Sequence, residues 1–148
     1  MSIRILIVDD DATIRLLMGR LIERQPDWQL CGEASNGAEA IEKVEQLSPD
    51  LVIMDLSMPD MNGLQAAREI TKTHPHLPLL LISVQEGSQQ LVREACNAGY
   101  KGVVTKSRGR VIKGVAALLG QQTFFYVQDG PASDEQESRN CQPCLARR

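Results

Sequence analysis

The chain predicts an α/β fold built on a parallel sheet, and three observations carry that expectation. Short apolar runs alternate five times with amphipathic helical patterns between Ile3 and Leu119. Three of the runs are nearly continuous in apolar residues, as parallel strands covered on both faces must be. Acidic, hydroxyl and ammonium side chains follow the runs directly, and ligands of such sheets sit beyond the carboxyl ends of the strands.

The elements follow in order. Ile3 to Val8 reads as the first strand, and Asp9-Asp10-Asp11 comes next. Asp11 is placed to cap the following helix, since a short carboxylate accepts from free amides of a first turn. In that helix Ile14, Leu17, Met18, Leu21 and Ile22 recur at i, i+3, i+4, i+7 and i+8, forming one apolar face. Gln29 to Ala34 is the second strand, and Ala40, Ile41, Val44 and Leu47 mark the second helix. Leu51 to Met54 is the third strand and leads into Asp55. Leu64, Ala67 and Ile70 or Thr71 mark a weaker third helix, with His74-Pro75-His76 as a solvated turn at its end. Leu79 to Ile82 is the fourth strand and leads into Ser83. Glu86-Gly87-Ser88 suggests a turn and a cap before the fourth helix of Leu91, Val92, Ala95 and Ala98. Gly102 to Thr105 is the fifth strand, followed by Lys106, and Val111, Val115, Leu118 and Leu119 mark the fifth helix. Right-handed crossovers among five strands favour the flavodoxin-like doubly wound order 2-1-3-4-5. Pattern alone leaves other doubly wound orders open.

The 148 residues are enough for one domain with its own core. Texture changes near residue 128. From Asp129 to Asn140 there is no Val, Ile, Leu, Phe or Met, so this stretch has little to offset its ordering entropy. We therefore expect a domain over 1–127 and a flexible polar tail or linker over 128–148. A net charge of -3 argues against a protein that coats nucleic acid or an anionic membrane. Aromatics are 3% of the chain, too few for base-stacking platforms. The longest tight apolar run, Leu79 to Ile82, is far short of the roughly 20 residues a spanning helix needs. The N-terminus does not read as a secretory signal, so a cytoplasmic chain with reduced cysteines is expected. Cys141-Gln142-Pro143-Cys144 has no second ligand pair nearby, and closed zinc sites need four ligands. Two incidental thiols in the tail are the expectation.

Chemistry should be sought where the strands end. Asp9 and Asp10, Asp55, Ser83 and Lys106 come from four strands and meet at one edge of the sheet. Stacked carboxylates repel and raise each other's pKa unless a cation neutralises them. A hard divalent ion does that, and Mg2+ accepts a few carboxylates together with waters and phosphate.

These residues carry a resemblance. Asp9-Asp10, the segment Asp55-Leu56-Ser57-Met58-Pro59-Asp60-Met61-Asn62-Gly63, Ser83 and Lys106 are similar in type and spacing to a two-component response regulator receiver domain, from about Ile3 to Gly120. The resemblance implies a signalling domain in a phosphorelay and not a turnover enzyme. Asp55 would be the phospho-acceptor, taking its phosphoryl group from a sensor histidine kinase or phosphotransfer protein. Asp10, Asp55 and the backbone carbonyl of Ser57 would bind Mg2+, with Asp9 acting mainly through a metal-bound water. Lys106 and Ser83 would contact phosphate oxygens. A downstream protein would bind the surface of the fourth helix, fifth strand and fifth helix, where Arg93, Lys101, Arg108, Arg110 and Lys113 gather, and a homodimer is possible.

The chain also departs from the family. Many receivers carry an aromatic three residues before the lysine, where Val103 stands here, and a cis proline after it, where Ser107 stands. Leu118 to Phe125 is similar to the end of receivers that precede a helix-turn-helix domain. The 23 residues after Phe125 show no helical apolar stripe, so no nucleic acid is expected to bind this chain as given. The alternative is the N-terminal part of a DNA-binding regulator. A remote alternative is a haloacid-dehalogenase-like phosphatase with Asp9 as nucleophile and Asp11 as general acid, which leaves Asp55 to Gly63 without a role. No G-x-G-x-x-G follows the first strand, which argues against a dinucleotide-binding dehydrogenase.

Overall fold

In the computed structural model, which describes residues 2–83, 88–106 and 108–125, strands and helices alternate from end to end. They are β1 (Ile3–Val8), α1 (Ala12–Glu23), β2 (Trp28–Ala34), α2 (Gly37–Leu47), β3 (Leu51–Asp55), α3 (Gly63–Thr73), β4 (Leu79–Ser83), α4 (Gln89–Ala98), β5 (Gly102–Thr105), α5 (Arg108–Leu119) and β6 (Phe124–Phe125). The sheet is parallel throughout, in the order β2-β1-β3-β4-β5-β6. The expected order 2-1-3-4-5 holds, with one short strand added at the β5 edge.

Strand burial explains the sequence texture. Every residue of β3 and β4 is buried, because helices cover both faces. β2 lies at an edge and keeps Gln29 and Glu33 exposed. The apolar residues divide by strand alternation into two cores. Leu6, Val8, Val52, Met54, Leu79 and Leu81 pack under α2, α3 and α4. Ile5, Ile7, Leu51, Ile53, Leu80 and Ile82 pack under α1 and α5. Each of these side chains contributes roughly 1.5–3 kcal/mol through burial.

Caps place the helices. Asp11 accepts from the amides of Thr13 and Ile14, as expected. Ser88 caps α4 through the Leu91 amide. Asn62 and Gln65 form a reciprocal capping box at α3, which the sequence reading did not identify.

The structure corrects several details. Leu17 does not join the core: Met18 and Ile22 are buried, while Leu16 and Leu17 stand about half exposed. The buried stripe of α1 is narrower than the apolar pattern: β1, β2 and α5 pack against the side that carries Met18 and Ile22. Asp55 and Ser83 are the last residues of their strands and not the first residues beyond them. Phe124 and Phe125, at the end of the segment similar to receivers that precede a helix-turn-helix domain and assigned to no element, form β6 and pair with Gly102 and Val103. His74 is more than a solvated turn residue. It is half-buried, its amide bonds the Ile70 carbonyl, and its Nε2 lies 3.6 Å from Glu45 Oε2. Val103 is core, fully buried between Leu81 and Phe125 in the sheet. Gln85, Ser107, the boundary at 127/128 and Cys141 and Cys144 lie outside the described residues.

Candidate functional site

Register decides which side chains meet. Asp55 pairs with Ile82, and Ser83 pairs with Thr105, so three neighbouring strands end in step. Two backbone bonds extend this pairing past the strand ends, from the Leu56 amide to the Ile82 carbonyl (3.1 Å) and from the Lys106 amide to the Ser83 carbonyl (3.0 Å). β1 ends beside β3, which brings Asp9 next to Asp55.

At this edge the carboxylate oxygens of Asp9, Asp10 and Asp55 lie within 4.8 Å of one another. Asp9 and Asp55 are buried, while Asp10 faces solvent. Lys106 supplies the opposing charge. Its Nζ stands 2.8 Å from Asp9 Oδ2 and 3.1 Å from Asp55 Oδ1. Three carboxylates face one ammonium, so the cluster carries uncompensated negative charge.

The titration behaviour follows from that imbalance. Burial, then the neighbouring Asp9, raise the Asp55 pKa against the lowering pull of Lys106. For Lys106 burial acts to lower the pKa, but contacts with Asp9 and Asp55 outweigh it and the net shift is upward. The ammonium therefore stays charged at any physiological pH.

Asp9 is held by its surroundings. Its Oδ1 accepts from the Asp11 amide (2.9 Å), and its backbone carbonyl accepts from Arg15 Nη1 (2.6 Å). Arg15 is in turn anchored by Glu33 Oε1 at 3.0 Å. Asp9 Oδ2 is buried and has no hydrogen bond of good geometry among the described residues, so the ammonium approach is an ion pair alone. A buried anionic oxygen that shares one ammonium with two further carboxylates suits a hard divalent cation, and the donor set fits Mg2+. Ser57 is exposed in the loop after β3. The Asp11 carboxylate accepts from the Thr13 and Ile14 amides at the start of α1, which fits the capping role expected for it.

The response regulator receiver domain profile matches residues 5–114. The chain belongs to that family. This receiver is 42% identical over 106 residues to the chemotaxis protein CheY of Thermotoga maritima, covering 72% of this chain and 87% of that protein. It is 37% identical over 109 residues to a Thermotoga maritima protein-glutamate methylesterase/protein-glutamine glutaminase, covering 74% of this chain but only 32% of that protein. The receiver thus spans about a third of the methylesterase it matches. Among solved structures, a two-component response regulator of the LuxR family from Aurantimonas sp. aligns with a TM-score of 0.83 and 28% identity, covering 97% of this chain and 99% of that one. This receiver is a module of two-component, phosphorylation-based signalling. Among the described residues, no helix is long and apolar enough to cross a membrane.

Two contributors escaped the sequence reading. Arg15 stands on the polar side of α1, where an arginine ordinarily reads as a solvated charge. Tyr100 is fully buried, and its hydroxyl donates to the Gly63 carbonyl at 2.8 Å. The one available signal was an aromatic six residues before Lys106 in a chain that has valine at three before.

Proposed function

We propose that this receiver accepts a phosphoryl group on Asp55 from the phosphohistidine of a sensor histidine kinase or phosphotransfer protein, and that phosphorylation changes what its α4–β5–α5 surface binds to a downstream protein. The observation that carries this reading is the pairing of buried Asp55 with Lys106 inside a surplus of negative charge. A carboxylate oxygen of Asp55 attacks phosphorus, the phosphorus–nitrogen bond of the donor breaks, and an acyl phosphate forms. Phosphoryl transfer needs positioning and charge neutralisation more than covalent help. β3 supplies the positioning, because Asp55 is still in the sheet and is tied to β4 by the adjoining Leu56 amide. Lys106 exchanges its hold on Asp55 Oδ1 for a phosphate oxygen as a point charge. Ser83, ending the adjacent strand, donates its hydroxyl to another. Asp9, Asp10, Asp55 and the Ser57 carbonyl would hold Mg2+, which supplies further neutralisation of the phosphoryl oxygens when bound. The chemistry assigned to this chain is self-phosphorylation and self-dephosphorylation.

A direct test uses acetyl phosphate with Mg2+ and maps the modified residue by borohydride reduction and peptide mass analysis. One phosphate at Asp55 is expected. A phosphate at Asp9, or none, overturns the reading.

The metal makes a separate prediction. A ligand that binds only the native state stabilises it, by about 1.4 kcal/mol at ten times its dissociation constant. For a domain of this size that is a rise of about 5 °C in melting temperature. Asp10→Ala, at an exposed position, will lose most of this gain without lowering the stability of the metal-free protein. A full Mg2+ response in Asp10→Ala would place the ion elsewhere.

A further inference from the structure

We propose that Tyr100 is a positioning residue for phosphoryl acceptance: its hydroxyl ties the loop after Asp55 to the α4–β5 corner. The inference rests on Asp55 being the acceptor.

Tyr100 is fixed on its own side. Gly99 ends α4 with φ +111, a left-handed conformation that glycine adopts without strain, and this turns the chain back toward the sheet. The Tyr100 amide bonds the Ala95 carbonyl at 3.0 Å, and the Lys101 amide bonds the Leu79 carbonyl at 2.9 Å. Its ring is only 1% exposed, packed in the core under α3 and α4. A rigid ring buried this deeply ends in one polar atom, and that atom needs a partner.

The partner is the carbonyl of Gly63, 37 residues away at the start of α3. Gly63 lies directly against the acceptor. A Cβ built there would collide with the Asp55 backbone carbonyl, and the Gly63 amide donates to the Leu56 carbonyl at 2.9 Å. The loop from Leu56 to Asn62 is therefore closed at its far end by Gly63. The phenol braces that closure from the α4 side. Displacement of the loop when a phosphoryl group arrives changes the length of the Tyr100 bond, and the backbone of Tyr100 lies in the turn between α4 and β5. The buried phenol does for this chain what Val103, an aliphatic core residue, has no polar atom to do.

The test is Tyr100→Phe, which keeps the ring and removes the hydroxyl. At saturating Mg2+ the maximal rate of Asp55 labelling by acetyl phosphate is expected to fall roughly three- to tenfold, because the acceptor loop is held less precisely. The half-saturating donor concentration is expected to stay within about twofold, since no donor contact is lost. Ile22→Val serves as control. It weakens the opposite core, beneath α1, and is expected to leave the labelling rate unchanged. A wild-type rate in Tyr100→Phe, or an equal loss in Ile22→Val, overturns the tether. Absence of label at Asp55 in the wild type overturns the acceptor assignment and the tether with it. Should Tyr100→Phe fail to fold, the wild-type hydroxyl proton of Tyr100 decides by NMR. A chemical-shift change on phosphorylation is expected, and an unmoved signal overturns the proposal.

Discussion

Lys106→Met will destabilise the protein by about 2–3 kcal/mol at pH 7 and almost nothing at pH 3–4. Removing one partner of a buried ion pair costs roughly 3–5 kcal/mol, because the remaining charge is left uncompensated. Lys106 is 13% exposed, so solvent screening brings the expectation to the bottom of that range or just below it. The variant leaves Asp9 and Asp55 buried against each other with no facing cation.

The pH dependence follows from two shifts. In the wild type the Asp55 pKa is raised, so the native state holds that proton more tightly than the unfolded chain does. Its favourable contribution is present below the ordinary carboxylate value and is lost as pH rises through the folded one. The Lys106 pKa is also raised, so its contribution is complete below the ordinary lysine value of 10.5 and disappears only at alkaline pH. Without the ammonium the Asp55 pKa rises further, and the neutral-pH penalty grows. Protonating the carboxylates at low pH abolishes it. Denaturant unfolding at pH 3.5 and pH 7 measures both limits. An equal loss at the two pH values would show that Lys106 contributes packing and not charge. Labelling by acetyl phosphate should fall by about 2.7–4 kcal/mol in barrier terms, the usual scale for one lost transition-state donor.

Gly63→Ala will lower the rate of Asp55 labelling about a hundredfold, the effect of displacing a reacting group by roughly 1 Å. The added methyl meets the Asp55 carbonyl, which is backbone and cannot swing aside. Either the α3 N-terminus or the end of β3 must move. Overpacking of this kind costs about 1–3 kcal/mol. Moving α3 also strains the Tyr100 bond to Gly63. Gly109→Ala is the counterpart, because nothing lies within 4 Å of a Cβ there. On helix propensity it should stabilise α5 by up to about 1 kcal/mol and leave labelling untouched. Equal labelling rates in Gly63→Ala and the wild type would show that the loop absorbs the methyl without shifting the acceptor.

The sequence by itself determined the alternation of elements and which residues follow each strand, and it favoured one strand order among the doubly wound ones, which the structure then fixed. The physical reason is that these depend on local periodicity. Leu51 to Met54 and Leu79 to Ile82 are continuous apolar runs of strand length, as strands buried on both faces are, and polar residues directly after such strands fall on one edge of a parallel sheet. The Asp11 cap is similarly local, since it depends on amides two and three residues away. Tertiary structure decided the rest. Phe124 and Phe125 have too short an apolar pattern to read as a strand, and only the open edge of β5 makes them one. Leu17 satisfies the helical stripe, yet the neighbours of α1 do not reach it. The charge balance of the cluster depends on Lys106 reaching Asp9 as well as Asp55, across 97 residues of chain. The Tyr100 to Gly63 bond spans 37 residues and depends on how α3 and α4 pack side by side. Contacts of that separation leave no periodic trace, because they are set by the distance between elements and not by the spacing of residues within one.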